Sequence, residues 1–486
     1  MFNENDIKKI EAHGITLATV EQQIENFKKG FPYLSIVRAA SCGDGIISYT
    51  AQECQQMLES YDSLINNKKI VKFVPASGAA TRMFKAVYEF VDQDKPNKGL
   101  DSLIEQIEEC AFYSDLAKCI NEGATAKQIA NGIISKEGLN YGALPKGVLK
   151  FHKYGQESHT PCQEHLIEGA LYGVSQNSSV NLHFTVSSEF EDNFKTIVDE
   201  ITPSLEAKYG VKFDVSFSNQ LSSTDTIAVT MDNEPFRNED GSLLFRPAGH
   251  GALIMNLNSI DADMIFIKNI DNVVHCDHIE DTVTYKKVLA TTLLNLQNRV
   301  FELLKELESG SEEAMDNAAT FISDKLGVTL PEFRCFDMKL EFLIGYLNRP
   351  IRVAGMVKNE GEPGGGPFWC SSENGVESLQ IAESSQISPS QIDLMKTASH
   401  FNPVDIVCST KDYRGDKFDL TQYVDYNCGF ISEKSKDGKA LKAQELPGLW
   451  NGAMANWITL FVETPISTFN PVKEVADLIK PLHKQA

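Results

Sequence analysis

The chain has 486 residues, of which 23% are charged and 42% apolar, the composition of an ordinary soluble globular protein. Its 45 basic and 67 acidic side chains leave a net charge of −22, which argues against non-specific binding to nucleic acid or to an anionic membrane surface. No run approaches the roughly 18 apolar residues that a membrane helix needs, and ten scattered cysteines with no CxxC pair fit a reducing, cytoplasmic setting.

Residues 1–65 read as a helical N-terminal region. The start, Met1-Phe-Asn-Glu-Asn-Asp6, lacks the basic and apolar segments of a signal peptide. Ile7, Ile10, Val20, Ile24 and Phe27 have helical spacing, and Thr50-Ala-Gln-Glu53 reads as a capping box opening a further helix to Leu64. From Ile70 the pattern changes to strands alternating with helices. Ile70, Val71, Phe73 and Val74 form an apolar strand. The loop Ala76-Ser-Gly-Ala-Ala-Thr-Arg82 follows, then a helical pattern through Met83, Val87 and Phe90. Strand, small-residue loop and helix start together make an anion site, because backbone N–H groups can approach a phosphate there.

Residues 84–143 read as a helical insertion, followed by Leu144-Pro-Lys-Gly147 and by Thr160-Pro161, which opens a helix. Leu182–Val186 and Val211–Phe217 read as strands flanking a helix over 189–209. Phe245-Arg-Pro-Ala-Gly-His-Gly251 is a turn in which absent side chains would let the chain lie against a flat ring or a sugar. Asp263–Ile270 is a nearly continuous apolar run, as in a central parallel strand, and it ends in Asp271-Asn272. A carboxylate at such a strand end can hold Mg²⁺, which prefers oxygen ligands, or can simply cap the turn. Strands return after residue 331, with Arg352–Val357 and the Gly-rich loop 360–367. The alternation predicts an α/β fold with a mixed, mainly parallel central sheet and helices on both faces, its core spanning 66–330.

Several of these segments, in this order, resemble the sugar-nucleotide pyrophosphorylases, most closely the branch that makes UDP-N-acetylhexosamines and UDP-glucose. Ser77-Gly-Ala-Ala-Thr-Arg82 resembles the family's Gly-Gly-x-Gly-Thr-Arg loop, and Pro145-Lys-Gly147 its Pro-Lys-Gly. Phe217-Ser-Asn-Gln220 is similar to the Phe-x-Gln near the nucleobase, with one extra residue, and Gly249-His-Gly251 matches the glycine turn. Asp271-Asn272, Glu383-Ser-Ser-Gln-Ile387, Phe401-Asn402-Pro403 and Phe469-Asn-Pro-Val-Lys473 resemble the later landmarks. The shared order covers residues 70–475, and the chain looks like a divergent bacterial branch. Ser77 and Ala80 stand where the family has glycine, two extra Cβ atoms that would narrow the phosphate space. Gln386 replaces an acidic residue, and Lys85 competes with Lys146 for the signature lysine.

The resemblance implies a Rossmann-like fold of the nucleotide-diphospho-sugar transferase type, with residues 331–486 forming the sugar-side part and the C-terminal region. It implies a nucleotidyltransferase in which a sugar-1-phosphate attacks the α-phosphorus of a nucleoside triphosphate, UTP favoured, and pyrophosphate leaves. Arg82, Lys146 and Lys473 would neutralise phosphate charge. Ser77, Gly78, Ala79, Gln220, Gly249, His250 and Gly251 would hold the nucleotide, Glu383 and Asn402 the sugar, and Asp271 the Mg²⁺. Two other readings stay open: a glycosyltransferase using Asp261-Ala-Asp263 as its metal pair, or a non-catalytic nucleotide-sugar binder. In His275-Cys-Asp-His278 the spacing matches no closed zinc site, and a turn is the simpler account.

Overall fold

The computed structural model describes residues 2–361, 364–372 and 375–486. The fold is mixed α/β with mainly parallel strands, and it forms two compact units. One comprises residues 54–219, 264–291 and 464–486; the other comprises 1–53, 220–263 and 292–463. The units cut across the regions expected from chain order, dividing 1–65 and 66–330 between them, because strands adjacent in space come from distant parts of the sequence. Among the described residues no helix is long and apolar enough to cross a membrane.

In the 54–219/264–291/464–486 unit four strands run parallel in the order Met264–Lys268, Ile70–Pro75, Ser179–Thr185, Lys212–Ser218. The first is buried throughout and the second nearly so, as their unbroken apolar runs predict for parallel strands covered on both faces. Helix Pro161–Tyr172 starts at the Thr160–Gln163 capping box, and with helix Glu191–Tyr209 it packs through Leu166, Phe194 and Val198 against Leu182 and Phe184. The helical insertion is present as short helices, including Lys85–Gln93, Lys98–Glu105 and Ala126–Ile134. Its core takes in Ala80 and Met83 from the first loop and Val472, Val475 and Leu478 from the C-terminal tail, so the insertion underlies that loop.

The other unit has parallel strands in the order Ser41–Cys42, Gly45–Ile47, Ile458–Glu463, Ile351–Lys358, with Asp405–Ser409 antiparallel to the last. Two smaller antiparallel sheets join it. Ile36–Ala39, Ser41–Cys42 and Gly45–Ile47 fall where only helices were predicted. Strands of two to four residues paired to partners hundreds of residues away leave no periodicity to read.

Buried imidazoles add a pH dependence to this scaffold. Burial lowers His183 to about 4, and burial together with the charge at His152 lowers His483 to about 3. An imidazole held neutral in the fold contributes stability above the unfolded value near 6.5, and that contribution is lost as pH falls toward the folded value. The urea midpoint is therefore expected to fall between pH 7 and pH 5, a range in which unfolded carboxylates barely titrate. A flat midpoint over that range would contradict the neutral-histidine assignment.

Candidate functional site

Strands Ile70–Pro75 and Met264–Lys268 lie side by side and parallel, so the turns that follow them emerge at the same edge. Open α/β sheets bind ligands at the carboxyl ends of their strands. After Pro75 the chain forms the loop to the single turn Ala80–Arg82, and after Lys268 it turns through Asp271 and Asn272. The Ala80 N–H donates to Leu144 O at 3.0 Å, which lays Pro145-Lys-Gly147 against the first loop.

Lys146 is the centre of the arrangement. Its Nζ donates to Asp271 Oδ2 at 2.7 Å and to Val472 O at 2.7 Å. The two side chains are only 16% and 20% exposed. Gly147 fixes this position, because a Cβ there would lie 2.5 Å from the Phe194 ring. The C-terminal tail is tied in around the pair. Val472 N–H donates to Asp271 O at 3.1 Å, Asn470 N–H to Asn272 Oδ1 at 2.8 Å, and Val475 N–H to Met83 O at 3.1 Å. Lys473 lies in this segment, its ammonium 5.3 Å from the Phe469 ring centre. Four stretches far apart in sequence thus meet at one edge of one unit.

Arg82 is exposed and edges a cavity of about 180 Å³ also lined by Lys85, Asn97 and Glu474. Among the described residues its guanidinium has no ion-pair partner. Lys85, the alternative signature lysine, is 77% exposed, with Glu89 3.9 Å from its ammonium. Ser77 O accepts from Ser187 Oγ at 3.1 Å, and Gly78 and Ala79 are exposed. Ala80 corrects one expectation: its methyl is fully buried in the helical core, so it takes no space from the open side of the loop.

Beneath this edge lies an ionic group that the sequence reading missed. Glu168 accepts from Lys72 Nζ at Oε2 and from Lys268 Nζ at Oε1, each at 2.8 Å, and all three side chains are 1% exposed. Burial pushes the Glu168 carboxyl up, but the charges of Lys268 and Lys72 outweigh that and hold it well below the usual carboxylate range. The neighbouring His165 places Nε2 3.2 Å from Ile270 O, immediately before Asp271. The signal in the sequence was a lysine inside each of two otherwise apolar strands.

The remaining predicted residues lie in the other unit. Gly249 has a φ of +77° and a Cβ there would meet the Glu445 carboxylate at 2.5 Å, while a Cβ at Gly251 would meet Pro447 O at 2.2 Å, so positive φ and side-chain crowding account for the first glycine and close approach of backbone for the second. His250 accepts the Leu449 N–H at Nδ1 and stacks on Trp450, with ring centres 4.2 Å apart. Its Nε2 lies 3.8 Å from Glu383 Oε1, so the structure brings together a predicted nucleotide residue and a predicted sugar residue. Burial pulls His250 below its usual value and pushes Glu383 above its own. Asn402 is buried and its Oδ1 accepts the Val404 N–H, where φ is +61°. Gln220 has its Nε2 buried without a hydrogen-bond partner.

Asp261 and Asp263 both bind Lys411, at 2.9 and 3.0 Å, which occupies the pair that a glycosyltransferase would use for metal. His275-Cys-Asp-His278 forms a turn in which His275 uses both ring nitrogens, toward Asp277 N and Lys153 O. Of the Gly-rich loop, Glu362 and Pro363 lie outside the described residues.

Comparison with known proteins adds the following. Residues 3–484 match the family described as "Domain of unknown function (DUF4301)". No curated protein matches the chain. Among solved structures, the UDP-glucose pyrophosphorylase of Leishmania major is similar with a TM-score of 0.45 at 13% identity, over 97% of this chain and 77% of that one. The Trypanosoma brucei UDP-glucose phosphorylase is similar with a TM-score of 0.47 at 14% identity, over 97% and 77%. The uridine diphosphate N-acetylglucosamine pyrophosphorylase of Trypanosoma brucei is similar with a TM-score of 0.46 at 11% identity, over 95% and 74%.

Proposed function

The chain belongs to that family, and from the residues gathered around Lys146 we propose that it is a nucleotidyltransferase. It would join a nucleoside triphosphate, UTP favoured, to a sugar-1-phosphate and release pyrophosphate. The observation that carries the reading is the meeting of Lys146, Asp271 and the 470–475 tail at the carboxyl end of two adjacent parallel strands. Those are the segments that resemble the pyrophosphorylase landmarks.

Phosphoryl chemistry asks little covalent help of a protein; it asks for positioning and for charge opposite the equatorial and leaving oxygens. The Arg82 guanidinium, exposed and without an ion-pair partner among the described residues, would offer a planar fork to β- and γ-phosphate oxygens. Lys146, held by two acceptors, would place a fixed positive charge beside the first loop. Lys473 adds a second charge for the sugar phosphate. The same resemblance would assign Gln220, Gly249, His250 and Gly251 to the nucleotide and Glu383 and Asn402 to the sugar.

Asp271 fits Mg²⁺ only in part. Lys146 occupies Oδ2, which leaves one carboxylate oxygen, and among the described residues Asp271 belongs to no cluster of three or more metal-ligating side chains. One carboxylate suits a cation whose other ligands are water and substrate phosphate. A Mg²⁺ bound there would neutralise charge on the triphosphate.

A malachite-green assay coupled to pyrophosphatase, run over four triphosphates and a panel of sugar-1-phosphates, tests the proposal. Pyrophosphate release dependent on both substrates supports it; none with any pair refutes it. The loop gives a sharper check. A Cβ at Gly78 would meet nothing within 4 Å, and φ there is not positive. Gly78→Ala should therefore keep the unfolding free energy or raise it slightly, by about 0.4–1 kcal/mol. If the triphosphate lies on this loop, the same methyl raises KM for the triphosphate. An unchanged KM removes the nucleotide from Gly78.

A further inference from the structure

In the 1–53/220–263/292–463 unit three side chains from separate strands converge on one point. Ser41–Cys42, Gly45–Ile47, Ile458–Glu463 and Ile351–Lys358 run parallel in that order, and His400–Phe401 pairs antiparallel with the end of the last. Glu463 ends its strand, and His400 sits opposite Lys358 at the end of the next. Cys42 Sγ lies 3.7 Å from His400 Nε2, and Glu463 Oε1 lies 3.5 Å from that same nitrogen. All three donor atoms fall within 4.8 Å of one another.

A cysteine nucleophile with its base would be arranged differently. There the thiol meets one imidazole nitrogen and the carboxylate holds the other. Here thiol and carboxylate both face Nε2, while Nδ1 is held by Ser399 Oγ at 2.8 Å. Convergence of sulfur, nitrogen and oxygen on a common point is what a metal ion requires. A tetrahedral zinc ion with ordinary bond lengths sets its sulfur and nitrogen ligands about 3.6 Å apart and its nitrogen and oxygen ligands about 3.4 Å apart. The supporting contacts also fit. Ser399 fixes the ring orientation, and Ser48 Oγ donates at 2.6 Å to Glu463 Oε2, leaving Oε1 for the metal.

We propose that Cys42, His400 and Glu463 bind a zinc ion through three protein ligands, leaving a fourth position for water or an anionic ligand. Thiolate, imidazole and carboxylate together suit zinc better than the hard cations magnesium and calcium. The exposed Lys358, whose Nζ is 3.8 Å from Glu463 Oε1, gives up that contact when the cation binds. The site shares no residue with the nucleotidyl-transfer reading and stands or falls separately.

Cobalt(II) is the probe, because a thiolate ligand gives it a charge-transfer band in the near ultraviolet. The full chain, stripped of metal by chelation, should bind one equivalent of Co²⁺ with that band, and Zn²⁺ should displace it. Cys42 is exposed, so Cys42→Ser should fold normally yet lose the band. Its zinc affinity, read by competition with a chromophoric chelator, should drop at least about tenfold, since losing even a supporting contact costs about 10–100-fold. Glu463→Gln should keep the band and bind more weakly. Cys119→Ser and Cys276→Ser, at other exposed thiols, should change nothing. Absence of the band in the wild-type chain, its survival in Cys42→Ser, or an unchanged zinc affinity in that variant overturns the proposal.

Discussion

Lys146→Ala is expected to lower kcat for nucleotidyl transfer by about 10²–10³-fold, the usual cost of removing one preorganised charge donor. The effect should fall on kcat more than on KM, because the charge is needed most where negative charge develops on the phosphate oxygens. Lys146 is suited to that task because little of its side chain is free to move: Nζ is fixed between Asp271 Oδ2 and Val472 O, and Gly147 is wedged beside the Phe194 ring. Lys146→Arg should recover little, since a longer planar fork does not fit a point-charge site with two acceptors already placed. Lys85→Ala is the matched control, because that lysine is 77% exposed and its ammonium lies 3.9 Å from Glu89. Its kcat should stay within about twofold of wild type, as expected for a screened surface charge. If Lys146→Ala turned over normally with an accepted substrate pair, the junction at Asp271 would be structural and the proposed reaction would lose its basis.

The residues of that junction were legible in the sequence for particular reasons. The Met264–Lys268 strand is one continuous apolar run, so the polar residues after it had to emerge at its end. The small residues from Ala76 to Ala80 marked a tight loop between strand and helix. What the sequence did not show was who meets whom. The Lys146–Asp271 ion pair joins positions 125 residues apart, and the role given to each residue separately did not foresee that they would share one bond. Ala80 was read as an intrusion into the phosphate space. Which way a methyl points depends on the helical insertion packed behind it, and that is a tertiary fact. The glycines at 249 and 251 were assigned to a ligand, whereas backbone carbonyls 446 and 447 and the Glu445 side chain account for their lack of side chains. Cys42, His400 and Glu463 were invisible as a group, since only the order of short strands in the sheet brings them together.

Glu168→Ala should destabilise the fold by about 3–5 kcal/mol, the range found when one member of a buried ion pair is removed. Glu168 is the shared acceptor for Lys72 and Lys268, and Tyr172 Oη donates to it as well, at 2.9 Å. A third lysine, Lys286, is fully buried nearby and reaches Ile267 O at 3.4 Å. Removing the carboxylate takes from the buried Lys72 and Lys268 ammonium groups the acceptor they share, and the desolvation penalty it offset then stands against the fold. Glu168→Gln keeps an acceptor oxygen but not the charge, so it should fall between wild type and Glu168→Ala. The combined replacement Lys72→Met, Glu168→Leu and Lys268→Met should be more stable than Glu168→Ala, because apolar side chains of similar volume replace a buried ionic group at little net cost. Urea denaturation followed by fluorescence and by circular dichroism measures all three variants. An unfolding free energy for Glu168→Ala within about 1 kcal/mol of wild type, well below the range for a broken buried pair, would mean that water reaches the lysines. The strand ends that carry Lys146's partner would then rest on packing alone.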